Sequence, residues 1–410
     1  MPGPVRLEQV ARAHGGRIIA YLAAALRDLD LAEEAFAEAC ARAAAAWRET
    51  PPRDPAAWLY ATARRHALDI IRKRTVRERL APDPPVPQRS AEDMLVSDDA
   101  LIPDERLRLI FVCCHPAVAR EARAPLTLRL VCGLSVQDIA RAFLVSEATL
   151  FQRLTRAKKA IARAGVAFEV PGPEAWPERL AAVLSTLEVA YAKAHADAAG
   201  AGPHADYARE ILTLTAVLVE LMPQEPEGLA LAALVRYAEA RRPARLDDLG
   251  AMVPLAEQDP ALWRRPLIQQ AQALLQRAAS LQRPGPRQLQ AAIHAAWCSR
   301  RDLAQPPPWP VVLQLYDLLL AYRDDAVVRL NRAVALAEVH GADAALTEVD
   351  GLRSANLEAF APYHAVRADL LARLQRSGEA RAAYGAALAL DPGPAERLWL
   401  ERRRAALVMD

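Results

Sequence analysis

Apolar residues recur every three to four positions along most of the chain, and this spacing predicts helices rather than strands. In residues 5–80 it predicts three helices, the first with Ile18 and Leu22 on its inner face. The spacing returns in residues 104–164 and continues almost throughout residues 174–410, with breaks at proline-rich hairpins. We therefore expect an all-α fold.

Local residue types predict where two of the first three helices begin. Asp30 is expected to cap the second helix, with Glu33 at the reciprocal position of a capping box. Asp54 as the cap and Pro55 at the first helical position mark the start of the third helix.

Two further segments indicate how the chain is divided into domains. Residues 81–103 are rich in proline and acidic residues and have no apolar periodicity, which predicts a flexible linker. Ala345 and Ala380 stand 35 residues apart, and Tyr384 follows at the spacing of a tetratricopeptide repeat. The expected domains are residues 1–80, residues 104–168 and a C-terminal helical-repeat domain at residues 169–410.

Composition and charge narrow the class of protein. The 410 residues carry a net charge of +2, so contacts with nucleic acid have to come from local basic patches. Five scattered cysteines argue against a disulfide scaffold, and the sequence shows neither an apolar signal segment nor a membrane span. We expect a cytoplasmic protein that has no cofactor and does not associate with membranes.

Residues 135–163 carry the pattern of a helix-turn-helix. Ser146 is expected to cap the second helix, and Leu150 and Leu154 belong to its buried stripe. Polar and basic residues lie on the opposite face, from which a recognition helix reaches bases and phosphates in the major groove. The expected contacts with duplex DNA are Thr149, Gln152, Arg153, Arg156, Lys158 and Lys159. An amphipathic hairpin with a solvated basic face is the alternative.

A second basic helix, between residues 55 and 79, combines aromatic residues with cations. Rings that stack on bases and charges that meet phosphates are the features of single-strand binding. The residues that fit this pattern are Trp58, Tyr60, Arg64, Arg65, His66 and Arg72. By itself the segment fits equally a helix with Trp58 in the core and a solvated arginine face.

The run Cys113–Cys114–His115–Pro116 has residue types that bind zinc. Adjacent residues on a helix point about 100° apart, so their spacing suits a closed metal site poorly, even with Cys132 as a fourth ligand. We expect buried thiols, a helix end at His115–Pro116 and no metal. Motifs of phosphate-binding loops, metalloproteases and hydrolases are absent, so we expect no catalytic residues and no enzymatic activity.

Three segments, in this order, resemble a known family. They read RDLDLAEEAFAEACARAAAAW, DPAAWLYATARRHALDIIRKR and GLSVQDIARAFLVSEATLFQRLTRAKKAI, and they resemble domains 2 and 4 of bacterial RNA polymerase sigma factors. DERLRLIFVCCHPAV and the long helical tail are similar to an extracytoplasmic-function subgroup with a tetratricopeptide-like extension. The chain departs from the pattern at Ala37, where Gln is usual, and at Leu144, where the turn usually has Gly.

The resemblance implies a role for each segment. Glu34 and Glu38 would contact the largest subunit of the RNA polymerase core. The helix from Trp58 to Arg74 would capture the melted −10 promoter element, and the helix-turn-helix would read the −35 element as duplex. The implied function is a promoter-specificity subunit, with polymerase core and promoter DNA as partners, regulated by the C-terminal domain.

Other functions also fit parts of this pattern. A stand-alone helix-turn-helix regulator with a helical sensor domain is the main alternative, and a peptide-binding helical scaffold is a third. For the C-terminal domain, a further protein or signal is the expected partner.

Overall fold

The computed structural model describes residues 7–47, 52–79, 105–143, 145–169, 176–196, 205–352 and 355–407. Over these ranges the regular elements are helices, apart from one isolated antiparallel bridge between Leu246 and Met252. None of the helices in the described part is long and apolar enough to cross a membrane. The expected all-α fold is confirmed, whereas the predicted linker at residues 81–103 lies outside the described residues.

The chain divides into two compact units, and the predicted boundaries of the three domains stay a prediction. The first comprises residues 1–193 with residues 209–214, and the second comprises residues 194–208 with residues 215–410. The first unit therefore contains both segments with nucleic-acid-type helices.

The first three helices pack against one another around an apolar core. They are α1 (Leu7–Leu26), α2 (Leu29–Ala46) and α3 (Pro55–Arg79). Ile18 and Leu22 of α1 and Leu59 of α3 are fully buried. Asp54 caps α3 as predicted, because its Oδ1 accepts the N–H of Ala57 at 2.9 Å.

The N-terminus of α2 differs from the prediction. Asp28 is its cap, and the Asp28 carboxylate accepts the N–H of Leu31 at 3.0 Å. Arg27 has a positive φ of 53°, which turns the chain sharply after α1 and leaves Asp28 at the cap position. The prediction that Asp30 caps this helix is therefore wrong. Asp30 is exposed in the first turn of α2, where its carboxylate is available for other partners.

Among the described residues, four helices follow between residues 105 and 163. They are α4 (Arg106–Cys113), α5 (Arg120–Leu130), α6 (Val136–Ala142) and α7 (Glu147–Arg163). Nearly every residue of α4 is buried, and Phe111 is completely so. The helix ends with Cys114 at its C-cap, directly before His115–Pro116, as the sequence predicts.

The next helix, α8 (Trp176–Ala196), packs on α4, although it follows the predicted domain boundary at residue 168. Arg179 Nη2 donates to the Phe111 carbonyl at 2.5 Å, and its guanidinium lies 5.9 Å from the centroid of the Phe111 ring. Cys114 Sγ and Thr186 Oγ1 are 3.5 Å apart in the interior. The first helix of the C-terminal extension is thus part of the first compact unit.

A chain that ends after residue 168 is expected to be less stable than one that ends after residue 214. The shorter chain loses the Arg179 and Thr186 partners of buried groups on α4, and an unsatisfied buried group costs roughly 1–3 kcal/mol. Urea denaturation followed by tryptophan fluorescence measures the difference. Equal unfolding free energies would show that α8 does not support α4.

The second unit consists mainly of helical hairpins. The helices from residue 205 onward are α9 (Ala205–Leu221), α10 (Pro226–Arg241), α11 (Arg265–Ser280), α12 (Pro286–Cys298), α13 (Trp309–Leu320), α14 (Ala326–His340), α15 (Ala342–Gly351), α16 (Ala355–Glu358), α17 (Ala361–Arg373), α18 (Ser377–Ala389) and α19 (Pro394–Ala405). Breaks before α12 and α13 coincide with the predicted proline-rich turns.

The predicted repeat is visible in the burial of its small residues. Ala345 and Ala380 are fully buried at equivalent positions of α15 and α18, and Tyr384 is fully buried in α18. Ala333 and Ala368 are likewise fully buried in the preceding helices, α14 and α17. Small side chains let the two helices of a pair approach closely, which supports the tetratricopeptide-like description of this segment.

One part of the second unit is less helical than the sequence suggests. Between α10 and α11 the chain forms three short 3₁₀ turns, and prolines at positions 243, 254 and 260 remove backbone N–H donors there. The Asp247 carboxylate accepts the N–H of Ala251 at 2.8 Å, and Arg402 of α19 lies 2.5 Å from Asp247. Side-chain bonds and longer-range backbone bonds, such as that from the Met252 N–H to the Ala395 carbonyl at 3.0 Å, therefore supplement the short 3₁₀ turns of this segment.

Candidate nucleic-acid interface

Helices α6 and α7 form the predicted helix-turn-helix. Ser146 caps α7, because its Oγ accepts the N–H of Thr149 at 3.2 Å. Ala140 of α6 is buried, in keeping with a small residue where two helices cross. The buried stripe of α7 consists of Leu150, Leu154, Ala157 and Ile161, as predicted. The turn residue Leu144 lies outside the described residues.

The buried stripe leaves the opposite side of α7 open to solvent. Thr149, Gln152, Arg156 and Lys159 are exposed, whereas Arg153 and Lys158 are half-buried. Four of the six predicted DNA contacts therefore lie on the solvent-exposed face of α7, and the other two lie at the edges of this face.

Lys158 forms ion pairs with α2. Its Nζ lies 2.5 Å from Asp30 Oδ1 and 2.9 Å from Glu33 Oε2. Burial by itself would lower the pKa of Lys158, but the hydrogen bonds that its ammonium donates to the two carboxylates outweigh burial, and the pKa is raised. The ammonium therefore stays charged and is held by acids of the first three helices.

Helix α3 presents its cations more openly than its aromatic rings. Arg65 and Arg72 are exposed, whereas Arg64 and His66 are half-buried. The ring of Trp58 meets that of Trp47 edge-on at 5.5 Å between centroids. Tyr60 meets Tyr21 in the same way at 5.3 Å. Both predicted stacking residues thus also pack against another ring, and both remain only half-buried.

Helix α2 carries the two predicted polymerase contacts on its outer side. Glu34 is exposed. Glu38 accepts a hydrogen bond from Arg42 Nε at 2.7 Å, and this bond lowers the pKa of the Glu38 carboxyl. Both side chains lie on the outer side of the helix.

The family models coincide with these two sets of helices. The model of sigma-70 region 2 matches residues 10–77, which span α1 to α3. The model of sigma-70, region 4, matches residues 108–161, which span α4 to α7. The chain is a sigma factor of the sigma-70 family. The sigma factor carries a C-terminal extension, as in the extracytoplasmic-function subgroup that the sequence resembles. Sigma factors are DNA-binding regulators that act with the RNA polymerase core on promoter DNA.

Other comparisons concern the extension and the whole chain. Residues 179–279 match a family of unknown function, DUF6596. A protein of Rhizobium meliloti (strain 1021), which carries the name uncharacterized, is 42% identical over 379 residues, 91% of this chain and 89% of the relative. No solved structure matches the sigma factor. The relative shares the extension as well as the two sigma regions, because the aligned part covers nearly all of both chains.

The thiols of Cys113 and Cys114 are buried in the sigma factor, as the sequence analysis favoured. Cys113, Cys114 and Cys132 are buried and free. Burial raises the pKa of the Cys132 thiol to about 12. Among the described residues, no three His, Cys, Asp or Glu side chains are grouped so that they could hold a metal ion.

Sequence reasoning missed two features of this interface. Phe151 is 65% exposed on α7, beside the predicted DNA contacts. An aromatic residue outside the buried stripe, on a helix whose outer face is otherwise polar, was the available signal. The second feature is the contact between Lys158 and α2, for which residues 125 positions apart in sequence give no local signal.

Proposed function

We propose that α7 and α3 of the sigma factor bind two parts of one promoter. Helix α7 lies in the major groove of the −35 element as duplex. Its proposed base contacts are Thr149, Gln152, Arg153 and Arg156, and its proposed phosphate contacts are Lys158 and Lys159. Helix α3 binds the melted −10 element through Trp58, Tyr60, Arg64, Arg65, His66 and Arg72.

The remaining contact in this proposal is with the polymerase. Glu34 and Glu38 of α2 bind the largest subunit of the core enzyme. Their position on the outer side of α2, away from the buried alanine stripe of that helix, supports this placement.

The observation that carries the proposal is the one-sided exposure of α7. Four apolar residues anchor one side of this helix, while Gln152, Arg156 and Lys159 project from the other. A recognition helix needs this arrangement, because its inner face has to fix the angle at which the outer face enters the groove.

Phe151 belongs to the same proposed interface. Its ring is largely exposed near the N-terminal end of α7, the end from which recognition helices contact bases. Apolar contact with the methyl group of thymine is one way in which proteins recognise this base in the major groove. Replacing individual −35 thymines by deoxyuridine is expected to weaken binding at one position in wild type and to have no effect there in Phe151→Ala.

The experiment that tests the proposed function is transcription in vitro with core RNA polymerase and a genomic promoter library. We expect the full chain to bind the core enzyme and to direct initiation at a defined set of promoters. A stand-alone regulator would instead bind duplex DNA tightly without polymerase, with strong salt dependence. Failure to bind the core enzyme in a pull-down would contradict the proposed roles of α2, α3 and α7 in binding polymerase and promoter.

We further propose that the extension regulates this activity in the cytoplasm through a protein or signal partner. It would either occlude the DNA-binding helices until a signal arrives or hold the polymerase-bound sigma factor in place. Comparison of the full chain with residues 1–214 in the transcription assay separates the two. Occlusion predicts a more active shorter chain, and a supporting role predicts a less active one. Equal activities would contradict any regulatory role.

A further inference from the structure

The acidic N-terminal part of α2 holds cations of region 4 within the first compact unit. Lys158 Nζ is in hydrogen-bond range of Asp30 Oδ1 at 2.5 Å and of Glu33 Oε2 at 2.9 Å. Glu33 also faces Arg129 of α5, whose Nε is 3.6 Å from Glu33 Oε1. Two carboxylates of region 2 thus receive two cations of region 4.

A close backbone approach fixes the same two regions at a second point. A β-carbon added to Gly16 of α1 would lie 1.8 Å from the carbonyl oxygen of Val131, the residue after α5. Only a residue without a side chain permits this approach. The carboxylates and Lys158 therefore meet in a defined packing of region 2 against region 4.

We propose that Asp30 and Glu33 imitate a DNA phosphate and occupy Lys158 until DNA displaces them. The proposal rests on the proposed placement of Lys158 at a phosphate of the duplex. A phosphate and a pair of carboxylates both present anionic oxygens at hydrogen-bond distance from an ammonium. Lys158 is only 21% exposed in its side chain, and both acids lie at its Nζ, so a phosphate has to take their place.

The consequence is competition between duplex binding and the contact of the two regions. Only molecules in which the contact is open offer Lys158 to DNA, so the apparent affinity falls in proportion to their fraction. Neutral isosteres of the two acids should raise that fraction without removing packing volume. Phosphate contacts carry no sequence information, so a labelled mixed-sequence duplex at low salt is a sufficient probe.

The test compares two double variants of the full chain that change the net charge equally. Asp30→Asn/Glu33→Gln removes the proposed mimic, and Glu121→Gln/Glu169→Gln removes two exposed acids of the same compact unit that lie outside α3 and α7. The first is expected to bind the duplex roughly three- to tenfold more tightly than wild type, the range of a partly exposed ion-pair contact. The second is expected to stay close to wild type.

The same substitutions in a Lys158→Ala protein distinguish competition for Lys158 from simple repulsion of DNA by the two acids. In this background the two neutral isosteres are expected to give no gain, because the competing ammonium is absent. A gain that persists without Lys158 would mean that the acids only repel DNA, and it would overturn the proposal. Equal affinities of the two double variants would overturn it as well. If no variant binds the duplex, both this proposal and the proposed placement of α7 on DNA are wrong. Binding to the polymerase core is measured separately and tests the sigma assignment.

Discussion

A Gly16→Ala variant is expected to lose about 1–3 kcal/mol of unfolding free energy, although alanine is the better helix former. The new β-carbon would lie 1.8 Å from the Val131 carbonyl oxygen and 2.7 Å from its carbonyl carbon. These are backbone atoms, which cannot rotate out of the way, so α1 has to move away from the end of α5. Chemical denaturation of the full chain measures the loss.

Gly15→Ala is the matched control for this prediction. The substitution brings the same gain in helix propensity one residue earlier in α1. Its β-carbon would meet the Phe36 ring, at 2.8 Å from Cζ, and this ring is the end of a rotatable side chain. We expect a smaller loss of stability than for Gly16→Ala. Equal denaturation midpoints for the two variants would contradict the close approach of α1 to Val131.

Gln152→Ala and Arg153→Ala are each expected to weaken recognition of the −35 element by roughly 1–3 kcal/mol, about 5- to 150-fold. Gln152 is exposed at the middle of the outer face of α7, where an amide can bond to a base edge. Arg153 is half-buried, so the thermal stability of the Arg153→Ala variant has to be measured together with its activity. The assay is initiation by the polymerase holoenzyme across the promoter library, read as a change in sequence preference.

Lys159→Ala separates base recognition from phosphate binding on the same helix. Lys159 is exposed, and loss of a phosphate contact lowers affinity for all sequences alike and reduces the salt slope by about one. We expect unchanged promoter preference for this variant. Unchanged preference in Gln152→Ala as well would remove Gln152 from the proposed base contacts.

The helix-turn-helix could be predicted from sequence because its determinants are local. A cap such as Ser146 bonds to an N–H three residues ahead, and the buried stripe of α7 follows from a spacing of three and four. The same holds for Asp54 at the start of α3. Each of these features is decided by residues within one or two helical turns.

Predictions failed where a neighbouring conformation competed with the local signal. Asp30 has the right residue type for a cap, but the positive φ of Arg27 starts α2 two residues earlier, with Asp28 as its cap. The segment between α10 and α11 has only short 3₁₀ turns and is held in addition by Asp247 and Arg402, which are far apart in sequence. The packing of α8 on α4 likewise depends on a contact between residues far apart in sequence, Arg179 and Phe111.

Apolar periodicity and capping residues predicted the all-α class and the face of α7 that carries Gln152 and Arg156, because both act over a few residues. The order of region 2, region 4 and extension came from the resemblance of the sequence to sigma factors. The contacts of Lys158 with Asp30 and Glu33 and the close approach of Gly16 to Val131 could not be predicted in this way. The reason is that ion pairs and backbone contacts between distant segments depend on how whole helices pack, and this packing produces no periodic pattern in the sequence.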